Sequence, residues 1–196
     1  MGFGTGLYKK SEYFAVKVPV FSNDKIPELE ISLSPEMKST GEVLGLARTV
    51  GEAILKGLYA SGINMSKGGI FVSVSNKSKQ ELLPIAKDLD GLGYKLYATA
   101  GTAAALRENG IAAEEVGKLH ECDDIERLIK SGAVKLIVNT PTKGRNTRRD
   151  GFRIRRLAVE SGATVFTSLD TVAAFVEALK VGKKDSELIP VALQDI

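Results

Sequence analysis

Thr99, Gly101 and Thr102 sit close together in the stretch Gly93-Tyr94-Lys95-Leu96-Tyr97-Ala98-Thr99-Ala100-Gly101-Thr102-Ala103-Ala104-Ala105-Leu106. A short β-prone run passes straight into an alanine-rich helical pattern, so these residues occupy a strand-to-helix turn. A helix N-terminus offers unpaired backbone N–H groups and the positive end of a dipole, which together stabilise an anion. Gly101 lets the backbone come close, and Thr99 and Thr102 add hydroxyl donors. That combination suits a phosphate. The plainer alternative is an N-capped helix after a strand, for which threonine is an ordinary cap.

Three other loops carry similar chemistry. Ser75-Asn76-Lys77-Ser78-Lys79 is polar and basic and opens a helix, although Lys77 reads best as a solvated lysine. Lys118 precedes the next helix but one. Asn139-Thr140-Pro141-Thr142-Lys143-Gly144-Arg145 follows an apolar strand. From Lys143 to Arg156 there are seven basic residues against one acid, Asp150. On a helix Arg149, Arg153 and Arg156 fall on one side. A solvated face would explain that run equally well, but its place beyond a strand end favours anion contacts from Lys143, Arg145 and Arg149.

No catalytic set is visible. His120 has no Ser, Cys or carboxylate partner at a recognisable spacing, and reads as a capping or packing residue. Cys122 precedes a helix, where a thiolate is stabilised, yet a small capping role is simpler. Glu121, Asp123 and Asp124 favour the start of the following helix through its dipole. One Cys and one His exclude an internal disulfide and a zinc constellation. No apolar run reaches the ~18 residues needed to span a bilayer, and no signal peptide is evident. The expectation is a cytoplasmic protein without a membrane partner. A net charge of +3 and the lack of Trp argue against nucleic acid.

The elements that must position these residues alternate regularly beyond Lys67. Strand Ile70–Val74, helix Lys79–Leu92, strand Lys95–Ala98 and helix Gly101–Asn109 come first. A short strand near Glu115-Val116, helix Asp123–Lys130 and strand Val134–Val138 follow. Helix Arg149–Glu160, strand Thr164–Phe166 and helix Asp170–Lys180 close the series. Gly110, Gly132 and Gly162 lie just past three helices, where a left-handed cap is wanted. Alternating strands and helices predict an α/β fold with a parallel sheet covered on both faces, and ligands in such sheets bind beyond the carboxyl ends of the strands. The first 66 residues differ. Phe14–Phe21 reads as a strand that Pro19 confines to an edge, and Glu42–Tyr59 as an amphipathic helix. The exposed edge would also suit pairing with a second copy of the chain.

Leu33-Ser34-Pro35-Glu36-Met37-Lys38-Ser39-Thr40-Gly41-Glu42-Val43-Leu44-Gly45 closely resembles the segment that ends the second ATP-grasp unit of carbamoyl-phosphate synthase large chains. Thr99-Ala100-Gly101-Thr102, Lys118-Leu119-His120 and Asn139-Thr140-Pro141-Thr142 resemble the methylglyoxal-synthase-like regulatory domain that follows it. The resemblance implies a three-layer, Rossmann-like parallel-sheet domain over residues 67–196. Residues 1–66 would be the end of the ATP-grasp domain.

It also implies an allosteric role, in which a nucleotide effector tunes carbamoyl phosphate synthesis for pyrimidine and arginine biosynthesis. The effector phosphate would meet Lys79, Thr99, Gly101, Thr102, Lys118, Asn139 and Thr140 or Thr142, the last pair ambiguous because Pro141 stands where other members have threonine. The implied partners are the rest of the large chain and a glutaminase small subunit. The implied parent is an ATP-dependent, glutamine-hydrolysing ligase using Mg or Mn. The segment alone is expected to make no carbamoyl phosphate and to hold no cofactor.

Two departures from the family pattern narrow the effector. Val18 follows Lys17 where the ornithine-activated branch has an acid, and Thr167-Ser168-Leu169 stands where that branch has Tyr-Asp-Thr. Ornithine's ammonium groups need acidic partners, so UMP, IMP or phosphoribosyl pyrophosphate fits better. The alternative activity, a methylglyoxal-synthase-type lyase acting on dihydroxyacetone phosphate, lacks its Gly-Gly-Asp motif; Glu121-Cys122-Asp123-Asp124 stands there instead.

Overall fold

Proline has no N–H for a sheet ladder, and the strand containing Pro19 has a single partner. It is β1 (Phe14–Val20), paired antiparallel with β2 (Gly41–Ala47), so that Phe14 stands opposite Ala47 and Val20 opposite Gly41. The computed structural model describes residues 6, 11–22, 36–63, 65–117, 123–140 and 150–195.

The helix expected over Glu42–Tyr59 is therefore two elements, β2 and α1 (Val50–Ala60). The spacing of Leu44, Leu46, Val50 and Ile54 fits a helix, but the ladder with β1 takes the first half. Thr49 then starts the helix afresh, its hydroxyl accepting the Glu52 N–H at 3.3 Å. Threonine followed three residues later by glutamate is a helix-start signal. Two glycines let the elements touch. A Cβ on Gly45 would overlap the Ala53 carbonyl oxygen and lie 2.7 Å from the Gly57 nitrogen. A Cβ on Gly57 would lie 2.6 Å from Val18 Cγ2.

The remaining elements follow the predicted alternation. They are β3 (Gly69–Ser73), a 3-10 turn at Asn76–Ser78, α2 (Lys79–Gly91), β4 (Leu96–Ala98), α3 (Ala100–Glu108) and β5 (Glu114–Glu115). Then come α4 (Asp124–Lys130), β6 (Val134–Asn139), α5 (Asp150–Glu160), β7 (Thr164–Phe166) and α6 (Leu169–Lys180). Gly110, Gly132 and Gly162 have φ of 73°, 72° and 72°, the left-handed conformation their positions called for.

The five strands β3 to β7 form one sheet in the order β5-β4-β3-β6-β7, with every pair parallel. Both faces are covered, as a parallel sheet requires. Ile70, Val72, Leu96 and Val138 face a core shared with Leu55 and Leu58 of α1, Leu82 of α2, Leu106 of α3 and Phe175 of α6. Phe71, Tyr97 and Ile137 face the other way, onto Ile125 and Ile129 of α4 and Ile154 and Ala158 of α5. The result is a three-layer α/β architecture. A register shift between Gly69 and Ile70 lets Val134 and Leu136 enter opposite cores. Each fully buried Leu, Ile or Phe contributes about 1.5–3 kcal/mol of transfer free energy.

One feature of this topology places the site. The chain winds from β3 through β4 to β5, then returns to add β6 on the other side of β3. A crevice forms at such a reversal, beyond the carboxyl ends of β3 and β6. Elsewhere, Lys56 of α1 joins three segments. Its Nζ donates to the Leu46 carbonyl of β2 at 2.8 Å and to the Ile189 carbonyl of the C-terminal tail at 2.7 Å. Glu52 adds an ion pair with Lys183 at 3.1 Å.

Candidate functional site

The Thr99 turn lies at the carboxyl end of β4. Thr99 is extended (φ −64°, ψ 151°) and precedes α3, but its hydroxyl makes no capping bond. Instead it donates to Thr102 Oγ1 at 3.5 Å. Its carbonyl accepts the Thr102 and Ala103 N–H groups, both at 2.8 Å. Thr102 is buried while Gly101 is exposed, so the turn opens to solvent at the glycine.

Lys79 reaches this turn from α2. A Cβ on Gly101 would stand 3.3 Å from Lys79 Nζ, so the ammonium lies directly over the glycine. The reason is local. The loop after β3 makes one 3-10 turn, braced by Ser75 and Ser78 whose hydroxyls lie 3.1 Å apart, and α2 begins at Lys79 itself. No carboxylate pairs with Lys79 among the described residues. A cation, the start of a helix and two hydroxyls thus converge on one exposed glycine, an arrangement able to hold a phosphate.

Asn139 and Thr140 sit at the carboxyl end of β6, on the other side of β3. Two strand spacings separate them from the β4 turn, about 10 Å. Asn139 is buried and stands in register with Ser73, whose carbonyl accepts its Nδ2–H at 3.3 Å. Its Oδ1 accepts from Arg155 Nη1 at 2.5 Å. Thr140 Oγ1 is buried and has no hydrogen-bond partner among the described residues. An unpartnered buried hydroxyl is costly, so this atom calls for a partner outside the described residues.

The structure therefore brings Lys79, Thr99, Gly101 and Thr102 together, and sets Asn139 and Thr140 across the same sheet edge. Lys118, Thr142, Lys143, Arg145 and Arg149 lie outside the described residues, as do His120, Glu121 and Cys122. Of the helical arginines, Arg153 is exposed and Arg156 pairs with Glu160 at 2.7 Å. Asp124 pairs with Arg127 at the start of α4, in keeping with a helix-start role. Sequence reasoning passed over Arg155, whose neighbours Ile154 and Ala158 mark the buried side of α5. That apolar flank was the available signal.

Residues 81–167 match the family model for the MGS-like domain. The match takes in most of α2 and all of β4, α3, β5, α4, β6, α5 and β7, and so contains every candidate residue except Lys79, which stands two positions before it. This chain carries an MGS-like domain. In sequence it is 49% identical over 191 residues to the carbamoyl phosphate synthase large chain of Clostridium perfringens (strain 13 / Type A). It is 48% identical over 198 residues to that of Clostridium beijerinckii (strain ATCC 51743 / NCIMB 8052). The alignments take in 96% and 98% of this chain and 18% of each relative, so the chain spans less than a fifth of the relatives' length. The methylglyoxal synthase of Elizabethkingia anophelis NUHP1 superposes with a TM-score of 0.46 at 16% identity, over 57% of this chain and 78% of its own. That agreement is too low to add to the assignment. The MGS-like assignment rests on the family match to residues 81–167, and the three-layer parallel sheet accords with it.

Proposed function

We propose that the MGS-like domain binds a nucleotide effector by its phosphate and regulates a carbamoyl phosphate synthase to which this chain belongs. The observation carrying the proposal is Lys79 Nζ above Gly101, beside Thr99 and Thr102 at a strand's carboxyl end. Asn139 and Thr140 complete the site across β3, and Lys118, Thr142, Lys143, Arg145 and Arg149 are proposed as further contacts. UMP, IMP and phosphoribosyl pyrophosphate are the effectors of matching chemistry. Residues 1–66 are proposed to close the synthetic domain and 67–196 to form the regulatory one.

The rest of a large chain, a glutaminase subunit, and ATP with Mg or Mn belong to the same proposal, as does a cytoplasmic location. Identity to the two clostridial large chains over nearly all of this chain supports it. Isothermal calorimetry with each of the three effectors tests it, and saturable binding of one or more is expected. Incubation with dihydroxyacetone phosphate separates the lyase alternative: release of methylglyoxal and phosphate would favour the lyase.

A further inference from the structure

Arg155 is the one buried cation among the described residues, at 6% exposure. Side chains on a helix lean toward its N-terminus. The Arg155 guanidinium accordingly lies back over the first turn of α5. A Cβ on Gly151 would come within 3.1 Å of Arg155 Nη1 and 3.2 Å of Asn139 Oδ1. The glycine leaves room for these two side chains to meet.

A guanidinium only donates hydrogen bonds. The Asn139 atom facing it must therefore be the amide oxygen, which fixes an orientation that an isolated amide would leave open. The NH2 group is then turned to β3, where it donates to the Ser73 carbonyl. Ser73 and Asn139 are the last residues of their strands and stand opposite each other. Thr140, whose hydroxyl has no partner among the described residues, comes next in the chain.

We propose that Arg155 is a positioning residue of the anion site. It holds the Asn139 amide in a single orientation, latches the carboxyl end of β6 to that of β3, and so fixes where Thr140 presents its hydroxyl. The effector feels Arg155 through Asn139 and Thr140, not by direct contact. The effect on binding rests on the effector reading above; the latch does not.

The test uses the full chain with Arg155→Met, which keeps length and apolar packing, and Arg155→Lys, which keeps the charge without the planar fork. Two readouts are taken. One is the NMR signal of the Asn139 side-chain NH2, assigned by its loss in Asn139→Asp. The other is UMP and IMP affinity, in a double-mutant cycle with Asn139→Ala. In Arg155→Met the Asn139 signal should shift and its protons exchange faster with water. Affinity should fall about tenfold, and the same change in the Asn139→Ala background should add less than about twofold. Arg155→Lys should fall between wild type and Met, and it carries the test if the Met variant does not fold. An unmoved Asn139 signal, or losses that multiply in the cycle, would overturn the proposal. If wild type binds neither nucleotide, the effector reading fails and the Asn139 signal alone decides the latch.

Discussion

Lys79 Nζ lies over Gly101, close enough that a single methyl on the glycine would come within 3.3 Å of the ammonium. The two residues start different helices, α2 and α3, on neighbouring strand ends. Gly101→Ala should therefore affect binding and stability in opposite directions. Displacing the ammonium should weaken nucleotide binding by about 0.5–1.5 kcal/mol, the scale of one hydrogen bond. Alanine is also a better helix former, by up to about 1 kcal/mol. Calorimetry and thermal melts on the same sample check both signs. A variant that binds as well as wild type would mean the ammonium does not act from this position.

The contact between β2 and α1 predicts an asymmetric pair of glycine variants. Gly45→Ala meets backbone, the Ala53 carbonyl and the Gly57 nitrogen, which cannot move without parting strand from helix. It should cost at least the ~1–3 kcal/mol typical of overpacking. Gly57→Ala meets the side chain of Val18, which can turn aside, and gains helix propensity. Its net cost should be smaller. Urea unfolding of both variants tests the order, and equal midpoints would contradict it.

These two glycines also show where the sequence was hard to read. The β3-to-β7 sheet was legible because apolar runs alternated with helical spacing and glycines marked three helix ends. Leu44 and Leu46 fit a helical stripe and a strand alike. What decides for the strand is the ladder with β1, twenty-odd residues earlier, which local spacing does not contain. The candidate site was legible on its β4 side, since Thr99, Gly101 and Thr102 adjoin in sequence. Arg155 was not, because it lies inside a basic run, and only packing separates the buried arginine from its exposed neighbour Arg153.

Tyr94 predicts a loss of stability at alkaline pH. Burial, and secondarily Tyr59, push its phenol above the ordinary value of 10.0. The folded state therefore keeps the proton when the unfolded state releases it. The stabilisation is complete below pH ~10 and falls as pH rises toward the folded value. Tyr94→Phe removes the titrating group and should flatten the fall in unfolding free energy above pH ~10. Identical slopes for wild type and variant in urea titrations across that range would show that Tyr94 is not the source.

The most direct test of phosphate binding at the β4 turn is calorimetry of UMP and IMP on wild type, Lys79→Ala and Thr102→Val. Loss of the ammonium should cost about 1.5–3 kcal/mol, roughly ten- to a hundredfold in affinity. Loss of the Thr102 hydroxyl should cost about 0.5–1.5 kcal/mol. Wild-type binding that weakens in this order is the predicted result; equal affinity in all three proteins would contradict the site.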